Sequence, residues 1–225
     1  MDAEADYLEA YDPAAFPPVA ATVDLVLMTV DEGTLQVLLS RRDEPPFAGH
    51  WALPGGFVGA EESLDDAARR ILAGKAHLDG AWLEQLYTFG TPGRDPRMRV
   101  ITVAYFALLP AQRLRAAVAG AAGLRLAPAA DESLRLAFDH DEIVATAVRR
   151  LRGKLDYTPI AFSLLPERFT LRALQSVHEA ILGRRVNKSA FRRRMLEGGS
   201  IRATGERETG ASFRPAELYT FHPSA

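Results

Sequence analysis

Cysteine is absent from the 225 residues, which excludes a disulfide framework and any thiolate metal site and is compatible with a reducing cytoplasm. Aromatic residues are scarce, at 8% with two tryptophans, and the C-terminal part carries no aromatic platform of the kind used to stack RNA bases. No apolar run is long enough to span a bilayer. The longest, around ITVAYFALLPA, falls well short of the roughly 20 residues required. The N-terminus MDAEADYLEA is acidic, where a secretory signal is basic and then apolar. These absences predict a cytoplasmic protein with no membrane partner. What is present, 48% apolar and 25% charged residues, suits one large globular domain or two small ones.

The net charge of −2 conceals an uneven distribution. Residues 151–225 hold 13 Lys and Arg against 7 Asp and Glu, whereas residues 1–150 hold 14 against 22. Such asymmetry predicts two domains with different partners, the basic one suited to a polyanion. Residues 20–39 read as a hairpin turning at DEG, with Gly33 available for positive φ, and residues 42–56 as a structured loop. Ser63 can cap a helix beginning at Leu64, with Asp66 in a capping-box-like position and Gly74 as a weak point or end. MRVITVAYFALLP reads as a doubly buried strand, and the Ala/Gly-rich stretch over 116–130 as a loose connection. A further helix carries Ile143, Val144, Ala147, Val148, Leu151 and Leu155 on one side, and the domain junction is expected at its end, near Tyr157.

Beyond the junction, Thr170 and Asn187 are N-caps of two successive helices, Gly183 stops the first, and two extended runs follow, SIRAT and AELYTF. Helix, turn, helix and ribbon is the order of a winged helix-turn-helix. In the second helix Phe191 and Met195 share the inward face. The remaining face is basic, with Lys188, Ser189, Arg192, Arg193 and Arg194, preceded by Arg184 and Arg185 in the turn and Asn187 at the cap. Such a helix can place arginines on guanine edges in the major groove of double-stranded DNA, with its other cations on phosphates. Arg202, Arg207 and Arg214 add positive charge to the expected wing.

The N-terminal part carries a second constellation. The stretch GGFVGAEESLDDAARRILAGKAHL resembles a Nudix box, and Gly56, Glu62, Arg70, Leu72 and Leu78 match its pattern. The three positions where that family has glutamates for metal and base fall on Ile71, Gly74 and Lys75, and its late glycine falls on His77. Hydrolysis of a nucleotide pyrophosphate needs magnesium or manganese held by converging carboxylates. A lysine at a ligand position repels the ion, so no metal, no cofactor and no catalysis are expected. Arg41, Arg42, Arg94 and Arg97 with the glycines Gly55 and Gly56 can hold phosphates. Arg94 and Arg97 can equally brace Asp95, and Phe47 and Trp51 can be either a stacking platform or core.

Taken over nearly the whole chain, the sequence resembles the Nudix-related transcriptional regulators of bacterial NAD metabolism (NrtR-like). The resemblance implies an α+β architecture, a Nudix-like mixed-sheet sandwich over residues 1–156 followed by a winged helix over 157–225. It also implies a homodimeric repressor of NAD synthesis or salvage genes on a palindromic operator, answering to ADP-ribose or a related nucleotide. The rival readings are a Nudix hydrolase of ADP-ribose-like substrates with a basic accessory domain, and an RNA-binding protein. One departure stands out: where these regulators often have Arg-Asn before Phe-Arg-Arg, this chain has Ser189 and Ala190.

Overall fold

The computed structural model describes residues 3–131, 133, 135–155, 158–209 and 215–222. In chain order the elements are α1 (Ala3–Ala10), β1 (Ala20–Asp31), β2 (Thr34–Arg41), β3 (Trp51–Ala52), β4 (Gly55–Phe57), α2 (Leu64–Ala76), β5 (Glu84–Phe89) and β6 (Val100–Leu108). They continue with α3 (Ala111–Gly120), β7 (Leu124–Pro128), α4 (His140–Lys154), β8 (Arg168–Thr170), α5 (Leu171–Leu182), α6 (Lys188–Glu197), β9 (Ile201–Arg207) and β10 (Glu217–Phe221).

The centre is β1, buried on both faces. Because successive side chains of a strand point to opposite sides, Val23, Leu25 and Leu27 enter one apolar cluster and Val26 and Met28 another. β1 runs antiparallel to β2 through the expected turn, where Gly33 takes φ +75°, and parallel to β6 from Ala20↔Val100 to Met28↔Leu108. The path β3-β2-β1-β6-β5, with β4 on β1 and β7 on β2, makes a mixed seven-stranded sheet. α2 and α3 cover the first face through Ile71, Leu72 and Leu114, and α4 covers the second through Ile143, Ala147 and Leu151.

Several local expectations hold. The Ser63 hydroxyl accepts from the Asp66 N–H at 3.1 Å, Thr170 from Ala173 at 3.1 Å and Asn187 from Ala190 at 2.9 Å, each satisfying a donor that a helix start leaves open. Gly183 ends α5 at φ +69°. Others need correction. α2 continues through Gly74 to Ala76 and closes at His77, which itself adopts φ +53°. The stretch expected as a loose connection contains the second half of α3 and all of β7, with Ala117 and Leu124 in the core. The expected junction falls on Asp156 and Tyr157, outside the described residues.

The second sheet, β8-β10-β9, joins α5 and α6 to complete the winged helix, β8 being an unexpected third strand. One apolar cluster runs from Val26 and Met28 of the large sheet through α4 to Leu174 and Ile181 of α5, Phe191 of α6 and Tyr219 of β10. Among the described residues, no helix is long and apolar enough to cross a membrane. Leu174→Ala is expected to cost about 2–5 kcal/mol. Since Trp51 and Trp82 both belong to the large-sheet part, tryptophan fluorescence in a denaturant titration reports that part. Its midpoint should fall with the α5 substitution, because the cluster is shared.

Candidate ligand cavity and nucleic-acid interface

Asp24 stands on β1 on the face toward α4 and is 5% exposed. A carboxylate so placed must be compensated. Its Oδ2 accepts from the Thr102 hydroxyl at 2.7 Å and lies 3.6 Å from Arg94 Nη2. Arg94 arrives from the loop after β5 and grips Asp139, the residue before α4, through two parallel bonds of 2.8 and 2.6 Å. His140 follows, fully buried. Its Nδ1 accepts from the Leu53 N–H at 2.9 Å, which assigns the proton to Nε2, 3.6 Å from Asp24 Oδ1. Burial holds the His140 pKa below its ordinary value, so the ring is neutral at physiological pH. Across the sheet Asp24 pairs with Gly55, where a Cβ would lie 2.0 Å from Asp24 Oδ1. Only glycine fits there.

This network forms part of the wall of an open cavity of about 490 Å³, within the range of small-molecule sites. Arg41, Arg42, Arg94, Arg97, Gly55 and Gly56 all line it, but not equally. The Arg94 side chain is 4% exposed and committed to Asp139 and Asp24, so it holds the wall rather than presenting a charge. Arg97 bonds Asp95 twice, at 3.0 and 2.7 Å, while 43% of its side chain stays open. Arg42 is braced by the Pro46 carbonyl at 2.7 Å and lies 4.8 Å over the Phe138 ring. Phe47 and Trp51, readable as platform or core, both stand outside the lining. Phe47 meets Phe138 edge-on from outside the lining, and Trp51 packs against the core with Arg125 4.3 Å over its ring. The lining rings are Phe57 and Phe138, and neither was singled out in the sequence, nor were Asp24 and His140.

The box residues form contacts of their own. Glu62 pairs with Arg70 at 2.6 and 2.7 Å and accepts from the Gly59 N–H, contacts that hold its pKa down at about 2. Lys75, on the last turn of α2, donates from Nζ to the Gly55 carbonyl at 2.5 Å and lines the cavity. Ile71 is buried in the core, 1% exposed. Among the described residues no three or more His, Asp or Glu side chains are gathered as a metal cage would require.

On the opposite domain, α6 buries Phe191 and half-buries Met195, leaving a basic outer face. Lys188, Ser189 and Arg193 are exposed. Arg192 lies against the Tyr219 hydroxyl of β10, and Arg194 lies 5.7 Å over the Phe191 ring. Arg185 pairs with Glu179 at 3.0 Å, although its side chain is 94% exposed. The Asn187 carbonyl oxygen is occupied as the cap. Arg184 is exposed in the turn, Arg202 is exposed on β9, and Arg207 donates to the Pro215 carbonyl. Arg214 lies outside the described residues.

A Nudix-type sheet sandwich with a cationic cavity, packed on a winged helix with a basic second helix, defines a sensor-linked DNA-binding regulator. The NUDIX domain matches residues 19–147 and the NrtR DNA-binding winged helix domain residues 161–221. The chain belongs to the NrtR family of transcriptional regulators. It is 39% identical over 224 residues to the ADPR responsive transcriptional repressor NtrR of Acinetobacter baylyi, covering 98% of this chain and 89% of that one. The crystal structure of Shewanella oneidensis NrtR complexed with a 27mer DNA is similar at TM-score 0.80 and 38% identity, over 90% of this chain and 93% of that one. The NUDIX domain of the same protein complexed with ADP ribose is similar at TM-score 0.57 and 40% identity, over 66% of this chain and 98% of that one.

The buried network yields a stability test. Arg94→Met leaves Asp24 and Asp139 without their shared cation and is expected to cost about 3–5 kcal/mol. Arg41→Ala, at an exposed position, should stay within about 0.5 kcal/mol. Denaturant titrations of the two variants beside the parent chain decide between a structural Arg94 and one held free for ligand.

Proposed function

We propose that this protein is an ADP-ribose-responsive repressor that binds a palindromic operator as a homodimer and governs genes of NAD synthesis or salvage. The observation that carries the reading is that the cavity keeps its glycine loop and arginines while Ile71, Gly74 and Lys75 stand where a metal cage belongs. A divalent ion does not fit this donor set. Ile71 is in the core, Glu62 is tied to Arg70, and the Lys75 ammonium already sits on the Gly55 carbonyl. Without an ion to activate water, the domain binds its nucleotide and leaves it intact. Arg41, Arg42 and Arg97 then address the phosphates, and Phe57 and Phe138 offer faces to the base or ribose. On DNA, Lys188, Ser189 and Arg193 face the groove, and Arg184, Arg185, Arg202 and Arg207 serve the backbone.

Coupling requires that the ligand prefer one arrangement of the two domains over another. α4 has the placement for this. Its N-terminus carries Asp139 and His140 at the cavity, and about 20 Å away its last turns carry Arg152, whose Nε donates to the Ile181 carbonyl of α5 at 2.9 Å. A shift of α4 in one protomer thus moves one winged helix relative to the other in a dimer. Calorimetry should find ADP-ribose binding in the presence of a chelator, with an affinity that differs by about 5–150-fold between free and operator-bound protein, the span of a ~1–3 kcal/mol coupling. Incubation with magnesium or manganese should release no AMP; metal-dependent turnover abolished by Glu62→Ala would overturn the assignment.

The groove-facing residues separate in a second experiment. Arg193→Ala should lose roughly 1–3 kcal/mol of operator affinity and relax discrimination at one base position. Lys188→Ala should weaken all sequences alike and reduce the salt dependence by about one phosphate contact. Mobility-shift titrations over a salt series measure both, and unchanged binding of the two variants would mean that another face meets DNA.

A further inference from the structure

Lys75 is held in an unusual setting for a surface lysine. The residue as a whole is exposed, yet it lines the cavity and its ammonium donates to the Gly55 carbonyl at 2.5 Å. That bond uses one of three donors, and the other two make no bond to any described residue. Burial of the ammonium, and after it the neighbouring Arg42 guanidinium, hold the Lys75 pKa below that of an ordinary lysine, with Asp24 opposing. Arg42 and Lys75 line the same cavity, so an anion bound there can be shared by both cations. Asp24 does not serve as that anion, since its oxygens lie in the buried network of Thr102, Arg94 and His140.

The contact with Gly55 has a further meaning. A backbone carbonyl is a ligand that hard divalent ions use, and an ammonium seated on it presents positive charge to the cavity from that same point. We infer that the Lys75 ammonium is a built-in substitute for a divalent cation, neutralising the diphosphate of the bound nucleotide from the Gly55 carbonyl and making binding independent of metal. The inference rests on the reading of the cavity as a nucleotide sensor and assigns its diphosphate counter-charge to a residue of the Nudix-like helix. The same substitution that removes hydrolysis therefore strengthens retention: a tethered charge needs no second solute.

The test uses the full chain and ADP-ribose in calorimetry, with chelator and again with millimolar magnesium. The parent chain should bind equally in both. Lys75→Met, which keeps the stem and removes the charge, should lose about 10- to 100-fold in affinity, as expected for a hydrogen bond between charged groups. Lys75→Arg should recover part of the loss. Lys75→Glu should bind poorly in chelator and regain affinity when magnesium is added, a response that a purely structural lysine would not produce. Thermal melts identify any variant that fails to fold, and Lys75→Gln replaces Lys75→Met if that variant does. Parent affinity in a folded, uncharged variant, or a magnesium requirement in the parent chain, overturns the inference and leaves the repressor reading standing. Absence of ADP-ribose binding by the parent chain in either condition overturns the reading and the inference together.

Discussion

The buried carboxylate of Asp24 is the constraint around which the sensor domain is arranged. A charge at that depth in a sheet persists only if the surrounding chain supplies a cation and donors in fixed places. Arg94 must therefore come in from the loop after β5, Asp139 must stand at the head of α4 to share that guanidinium, and Thr102 must turn its hydroxyl across from β6. The strand on the other side must carry glycine at position 55, because no Cβ can pass the Asp24 oxygen. That glycine in turn exposes the carbonyl on which Lys75 rests. The cavity wall, the start of α4 and the seat of the internal cation are thus set by one pairing requirement.

Much of the architecture was legible because it is written in local chemistry. The caps Ser63, Thr170 and Asn187, the stop at Gly183 and the apolar stripe of α4 depend on neighbours within a turn or two, and spacing reveals them. The pieces that escaped depend on distant partners. β4 and β8 are three residues each and exist because β1 and β10 offer edges. α3 is rich in alanine, so its inward face, Leu114 and Ala117, contrasts little with its outer one, and periodicity gives a faint signal. His77 closing α2 has no sequence signature, since a left-handed residue is ordinarily glycine or asparagine.

For the site, residue type was readable and commitment was not. Four arginines were visible as phosphate holders, but only the fold distinguishes Arg94, locked between two carboxylates, from Arg97, which keeps an open side beside Asp95. Trp51 and Phe47 had the chemistry of a platform, yet the rings that line the cavity are Phe57 and Phe138, brought together from positions 81 residues apart. The basic face of α6 came through more clearly, because Phe191 and Met195 fix which side turns inward and the remaining positions follow. Even there, Arg192 turns toward Tyr219 and Arg185 toward Glu179, so a count of arginines overstates the groove-facing charge.

The single apolar cluster that runs from the large sheet to Phe191 and Tyr219 bears on how such a regulator can change over evolutionary time. Proteins whose reading heads hang on a tether can acquire new addresses by exchanging the whole head. Here an exchange would have to carry half of an interior with it and re-match Leu151 and Ile181 across the cut. New operator preference is more accessible through replacements at exposed positions of α6 such as Lys188, Ser189 and Arg193, so the lineage should diversify its targets side chain by side chain while its two halves descend together.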